Sequence, residues 1–280
     1  MIFGNSHGGS LKMRLLIMIA IGAFSVIGYL MKYERNPVTG ELQAVALDVG
    51  KEKAMGLEAR GQMANEMGGA LDPRADPDAA RVMAMGRRLV AAGDASRSPY
   101  ADNFNFYLLN DAKTVNAFAL PGGQIFITRA LYDQLENEAQ LAGVLGHEIG
   151  HVIHRHSSER MAKGQLGQGL VGAVVAGSGD YSAGQVASMV NGMITLKYGR
   201  SDELQSDNWG LYNMIAAGFD PREMVNVMEV LKKAGGGGGR SQIFSSHPDP
   251  DARIVAIKEY VANQYPNGIP RQLTQGARLR

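Results

Sequence analysis

Leu15 to Met31 is a run without a single charge, bracketed by Lys12 and Arg14 before it and by Lys32, Glu34 and Arg35 after it. As a helix it spans about 25 Å, the short end of what crosses a bilayer. It has no polar face, which argues against a core helix of a water-soluble domain. Residues 15–31 therefore read as a signal anchor, with a cleaved signal peptide as the competing reading. Tyr29, Leu30 and Met31 are too bulky for a small-x-small cleavage site and favour the anchor. The flanking positive charges are nearly balanced, so they do not set an orientation. Residues 1–14 read as an N-terminal tail, with Met13 as an alternative start.

The pattern then changes. Asn36-Pro37-Val38-Thr39-Gly40 is turn chemistry. Ala44 to Gly68 has helical spacing, with Val45, Met55, Leu57, Met63 and Met67 as its apolar positions. Asp76 followed by Pro77 is a helix start, and that helix runs to about Ala92. Asn103 to Leu109 alternates and is rich in Phe and Tyr, the signature of a strand. Thr114 to Thr128 gives two short strands broken at Leu120-Pro121-Gly122-Gly123. A strong helix is predicted from Asn137 to about Met161, then two glycine-interrupted helical segments from Gln165 to Leu196. Within these, Val171 to Ala176 is apolar but far too short to span a membrane. Further helices are predicted over Asp202–Ala217, Pro221–Ala234 and Pro250–Ala262, with Gly235 to Gly239 as a flexible linker. The sum is a mostly helical α+β fold with a small antiparallel sheet.

Composition narrows the function. The 280 residues carry a formal net charge of +1 and no cysteine. Disulfides, thiolate metal sites and a cysteine nucleophile are excluded. A near-neutral chain lacks the basic excess that phosphate neutralisation needs, so nucleic acid is not an expected partner.

The chemistry begins at His147-Glu148-Ile149-Gly150-His151. Residues four apart share a helix face, so both imidazoles can converge on one metal ion. Glu148 can reach a water on that ion and act as general base. The chain has six histidines in 280 residues, so the pattern is far more specific than coincidence. Leu141, Ala142, Val144, Leu145, Ile149 and Val152 give the same helix a side to bury. A catalytic zinc usually takes a third protein ligand. His154 lies about 10 Å along the axis from His147 and cannot join the same ion on an unbroken helix. His154 and His156 read as surface residues or as supports behind the ligands. Ser157 stands where a metzincin would place its third histidine, which excludes that class. Glu203 and Asp207, four apart on a predicted helix, are better candidates. One carboxylate can ligate while the other holds a ligand imidazole.

Together with Asn116-Ala117-Phe118-Ala119-Leu120-Pro121-Gly122-Gly123, the Asn36–Gly40 turn, and Ser246-His247-Pro248 followed by Arg253, these motifs stand in an order that resembles the HtpX and CAAX-prenyl-endopeptidase family of zinc metallopeptidases, a gluzincin group. The resemblance covers about Asn36 to Tyr260. It is to the single-anchor or periplasmic branch, since only one segment is long enough to span. It implies a zincin-like metallopeptidase domain over residues 36–265, the sheet beside the active-site helix, and a C-terminal tail over 266–280. It also implies one Zn2+ per chain on His147, His151 and Glu203, with Glu148 as acid/base and Asp207 as auxiliary. His247 follows as an oxyanion donor or a fourth, inhibitory ligand, with a structural surface residue as the bland alternative. Arg253 is implied as a support of the cleft, although an arginine on a helix surface is the usual case. Asn116, Ala117, Phe118 and Ala119 follow as the edge that binds an extended polypeptide substrate. The implied function is hydrolysis of membrane or envelope proteins in quality control. The chain would be held to the membrane by its N-terminal segment, with the catalytic domain extracytoplasmic, or soluble in the periplasm if residues 15–31 are removed. The alternative is a metal-binding chaperone or assembly factor with latent protease activity.

Overall fold

The computed structural model describes residues 7–178, 198–236, 247–248 and 250–279. The second glycine-interrupted segment towards Leu196, Gly237 to Gly239 and Ser246 lie outside them. The chain forms two compact units.

The smaller unit contains residues up to Arg35, Glu41–Ala46 and Ser158–Lys197. Helix α1, His7–Leu30, carries the apolar run and starts within the segment read as a tail. Among the described residues, Leu11–Leu30 is the one stretch long and apolar enough to cross a membrane. Strands β1, Tyr33–Arg35, and β2, Leu42–Ala44, pair antiparallel. The helix expected from Ala44 therefore begins later, at Val49.

The larger unit contains Asn36–Gly40, Leu47–Ser157 and Tyr198–Arg280. Helix α2, Val49–Glu66, starts where the Asp48 side chain accepts from the Lys51 N–H. Helix α3, Pro77–Ala92, starts as predicted, Asp76 accepting from the Asp78 and Ala79 N–H groups. Strands β3, Asn105–Leu109, β4, Ala117–Leu120, and β5, Gln124–Thr128, form one sheet in the order β3-β5-β4. This sheet is mixed, which corrects the antiparallel expectation. β4 and β5 do form the antiparallel hairpin, with Phe118 opposite Phe126, but β3 runs parallel to β5. The cause lies in β5, whose five residues are all buried, so that it takes a partner on each edge. The Pro121-Gly122-Gly123 turn gives one edge to β4, and residues 110–116 carry the chain over from β3 on the other. Both turn glycines have positive φ, 77° and 109°.

After the short helix α4, Arg129–Tyr132, comes helix α5, Glu138–Ile153, buried along almost its whole length. It ends earlier than its periodicity suggested. Arg155 takes a left-handed conformation, φ 59°. The Arg155 guanidinium donates to the Leu47 carbonyl at 2.6 Å and to Glu52 at 3.2 Å. Helix α6, His156–Ser178, then starts afresh, and from Ser158 its residues belong to the smaller unit. Helices α7, Arg200–Ala216, α8, Glu223–Gly236, and α9, Pro250–Gln264, complete the larger unit. Two glycines of the expected linker, Gly235 and Gly236, thus still belong to a helix. The core gathers Val82, Leu89, Phe106, Leu108, Ile125, Ile127, Leu141, Leu145, Ile149 and Leu211 from α3, the sheet, α5 and α7. Within the 266–280 segment, the carbonyls of Ala277 and Gln275 accept from the Glu138 and Ala139 N–H groups, capping the start of α5.

Candidate metal centre

Helices α5 and α7 approach closely because the residues between them are small. A Cβ on Gly150 would lie 2.8 Å from Ser206 Cα, and one on Gly146 would lie 3.1 Å from Gly210 Cα. Backbones this near bring the short reach of Glu203 and Asp207 onto the imidazoles of α5.

The result is a buried cluster. His147, His151, Glu203 and His247 each offer one donor atom, all within 4.8 Å of one another. The Nε2 atoms of His147 and His151 are 3.0 Å apart. Glu203 Oε2 lies 3.5 Å from His147 Nε2, and Oε1 lies 3.5 Å from His151 Nε2. His247 Nδ1 lies 3.0 Å from Glu203 Oε1 and 3.3 Å from His147 Nε2. Its other nitrogen, Nε2, is 3.8 Å from Glu148 Oε1.

The outer hydrogen bonds decide where the protons sit. Asp207 Oδ1 is 2.8 Å from His147 Nδ1. A carboxylate only accepts, so His147 carries its proton on Nδ1 and turns the lone pair of Nε2 inward. Arg253 fixes Asp207 in turn, with Nε 2.7 Å from Oδ2 and Nη2 2.6 Å from Oδ1. Its Nη1 reaches Glu203 Oε2 at 2.7 Å. On the other side His151 Nδ1 is 2.8 Å from His156 Nδ1. Two imidazole lone pairs thus face each other beside a carboxylate that Arg253 also holds, and that facing pair is repulsive unless a cation sits between them. The donor set fits a metal ion, and nitrogen with carboxylate oxygen suits zinc.

Electrostatics follow from burial and neighbours. Burial, with the neighbouring His147, holds the His151 pKa well below the ordinary histidine value, so it is neutral. Burial raises the Glu148 pKa. Burial would also raise Glu203, but the facing His247, His147 and Arg253 outweigh it and lower the pKa. Asp207 is lowered in the same way, burial being outweighed by Arg253. Burial alone would lower His247, yet Glu203 and Glu148 raise it. Glu148 Oε2 is buried with no hydrogen-bond partner. It lines a cavity of about 20 Å³ together with Val144, Val227, Met228, Leu231 and His247.

His147, Glu148, His151, Glu203, Asp207 and His247 therefore meet in one cluster. Asn116 to Ala119 belong to the β4 region, which packs against α5. Ala117 to Ala119 are in β4, whose second edge has no strand partner among the described residues. Asn116 and Ala117 are buried, while Phe118 and Ala119 are half-buried. Arg253 is no surface arginine; it is 3% exposed. His156, expected as a surface or supporting residue, is buried against His151. Gln205, whose Oε1 lies 3.0 Å from His156 Nε2, and Tyr198, stacked on His151 at 3.9 Å, were not singled out from the sequence. A usable signal was present in Gly146 and Gly150 facing Ser206 and Gly210, small residues four apart on each helix.

Residues 77–261, well over half of the chain, match the family described as Peptidase family M48. The chain is 30% identical over 239 residues to the beta-barrel assembly-enhancing protease of Yersinia pestis, covering 81% of this chain and 47% of that one. It is 29% identical over 234 residues to the mitochondrial metalloendopeptidase OMA1 of Schizosaccharomyces pombe, covering 83% and 68%. It is 30% identical over 164 residues to the metalloprotease YcaL of Escherichia coli, covering 58% and 63%. The chain spans about half the length of the Yersinia relative.

Proposed function

Because the chain belongs to peptidase family M48 and is a metalloendopeptidase, we propose that it hydrolyses peptide bonds of membrane or envelope proteins in quality control, using one zinc ion on His147, His151 and Glu203. The observation that carries this reading is the convergence of two outward-anchored imidazoles with a buried carboxylate, beside a glutamate oxygen that has no partner.

When bound, zinc supplies Lewis acidity and brings the pKa of water to about 7. The protein supplies the rest. Glu148 takes a proton from the attacking water on its free oxygen and returns it to the leaving amine; its raised pKa suits both steps. Asp207 and Arg253 hold His147 in one tautomer and orientation. The open edge of β4, preceded by Asn116, takes an extended substrate through main-chain hydrogen bonds.

His247 stands as a fourth donor in a closed state. Its nearness to Glu203 and His147 supports this, and so does the cavity of about 20 Å³ beside Glu148, which has room for about one water and none for a peptide. Helix α1 anchors the chain in a membrane with the catalytic unit on the extracytoplasmic side. Incubation of a denatured outer-membrane protein with the zinc-loaded chain tests the proposal. Cleavage that a chelator abolishes and zinc restores is expected. Folding assistance without any cleaved product would replace it with the chaperone reading.

A further inference from the structure

Helix α5 stops two residues after His151, and the first residue of α6 turns back onto that same histidine. On an unbroken helix His156 would sit roughly 140° around the axis from His151, out of contact. The left-handed Arg155 removes that separation. It does so at some backbone cost, and a buried anchor sustains it. Glu52, 2% exposed, takes the Arg155 guanidinium and also accepts from the Tyr100 hydroxyl. The corner brings His156 Nδ1 to 2.8 Å from His151 Nδ1.

Two nitrogens at that distance need one proton between them. Gln205 Oε1, 3.0 Å from His156 Nε2, can only accept, so the proton of His156 sits on Nε2. Its Nδ1 then holds a lone pair, which accepts the Nδ1–H of His151. His151 keeps the lone pair of Nε2 for the centre, 3.0 Å from that of His147. Tyr198 stacks on the His151 ring at 3.9 Å, with 22° between the planes, and fixes its tilt.

We infer that the Arg155-His156 corner with Gln205 is a positioning relay that holds His151 in its metal-binding tautomer. It serves His151 as Asp207 and Arg253 serve His147. The inference rests on His151 being a zinc ligand. His156 itself is a positioning residue, since it meets the centre only through His151. A neutral acceptor here adds no charge behind the ligand, so the two imidazoles are supported unequally, one by a carboxylate and one by a histidine.

The test is the zinc affinity of the full chain, measured by competition with a chelator, for the unaltered protein and for His156→Leu, His156→Asn and Gln205→Leu. Loss of such a support lowers affinity on the order of 10- to 100-fold, which is expected for His156→Leu. His156→Asn retains an acceptor oxygen near the Nδ1 position and should recover most of that loss. Gln205→Leu should show a smaller loss. Unchanged affinity in His156→Leu overturns the relay, and so does an asparagine variant as weak as the leucine one. Should His156→Leu fail to fold, nitrogen-15 spectra of the unaltered chain read the tautomers directly. Protons on His151 Nδ1 and His156 Nε2 are expected; a proton on His156 Nδ1 overturns the relay. Zinc retained in Glu203→Gln would refute the ligand assignment alone, leaving the tautomers to judge the relay.

Discussion

Helix α5 carries a buried polar cluster at each end, and the two are built in opposite senses. At its start, Glu223 is saturated. Asn137, Gln140 and Asn226 donate their amide protons to Oε2 at 3.1, 2.9 and 3.0 Å, and Gln275 donates to Oε1 at 2.7 Å. One carboxylate meets four donors, and nothing is left over. Towards its other end, the Nε2 lone pairs of His147 and His151 face each other at 3.0 Å beside Glu203, which Arg253 holds, and Glu148 Oε2 has no partner. Buried polar groups are ordinarily satisfied. The first cluster obeys that rule within the chain and ties α5, α8 and the C-terminal segment together. In the second, the two facing lone pairs and the Glu148 oxygen are left over, and a cation and a reacting water would satisfy them. Counting donors against acceptors therefore separates a structural cluster from a chemical one where composition and burial do not.

The largest effect is expected from Glu148→Gln. The amide can no longer take a proton, while the groups around the metal stay as they are. Proteolysis should fall by several orders of magnitude with zinc content unchanged. Metal analysis of that variant checks the role, and loss of zinc would make Glu148 part of the cage. At the opposite end, Glu223→Gln replaces an acceptor with a group that faces donors. Stability should fall by about 1–3 kcal/mol, read as a shifted denaturant midpoint, with zinc content intact. The sign of its pH dependence is defined. Burial would raise the Glu223 pKa, but the four amide donors lower it on balance. Its contribution is then full above the unfolded carboxylate value, about 4.3, and is lost as pH falls through the folded value. Glu223→Gln should flatten that acid-side decline. The smallest effect is expected from His247→Ala, which removes the fourth donor. Basal cleavage should rise several-fold with zinc retained. A fall in cleavage would make His247 an oxyanion donor, and unchanged activity would leave it structural.

What was legible in the sequence was local. His147, Glu148 and His151 share one turn of helix, so spacing alone brings them together. Asp76-Pro77 marks the start of α3 for the same reason, because a cap acts over three residues. Glu203 and Asp207 stood out as a pair four apart, while their roles came from resemblance. The rest depended on contacts far along the chain. The exposed three-residue strand β1 carries no alternation to read. The parallel pairing of β3 with β5 is decided by which edge of a buried strand remains free. Arg253 is buried only because two carboxylates from α7 await it. His156 reaches His151 only because Arg155 breaks the helix, and a left-handed arginine leaves no mark in hydrophobic periodicity.

The proposed cage for one ion is formed by His147, His151 and Glu203. The most direct measurement is zinc per chain, by mass spectrometry of the folded protein after chelator treatment and zinc reloading, in the unaltered chain and in Glu203→Gln. One zinc per unaltered chain, and a steep loss of zinc in a Glu203→Gln protein of unchanged fold, is the predicted result. Equal zinc in both proteins, or none in the unaltered chain, would contradict it.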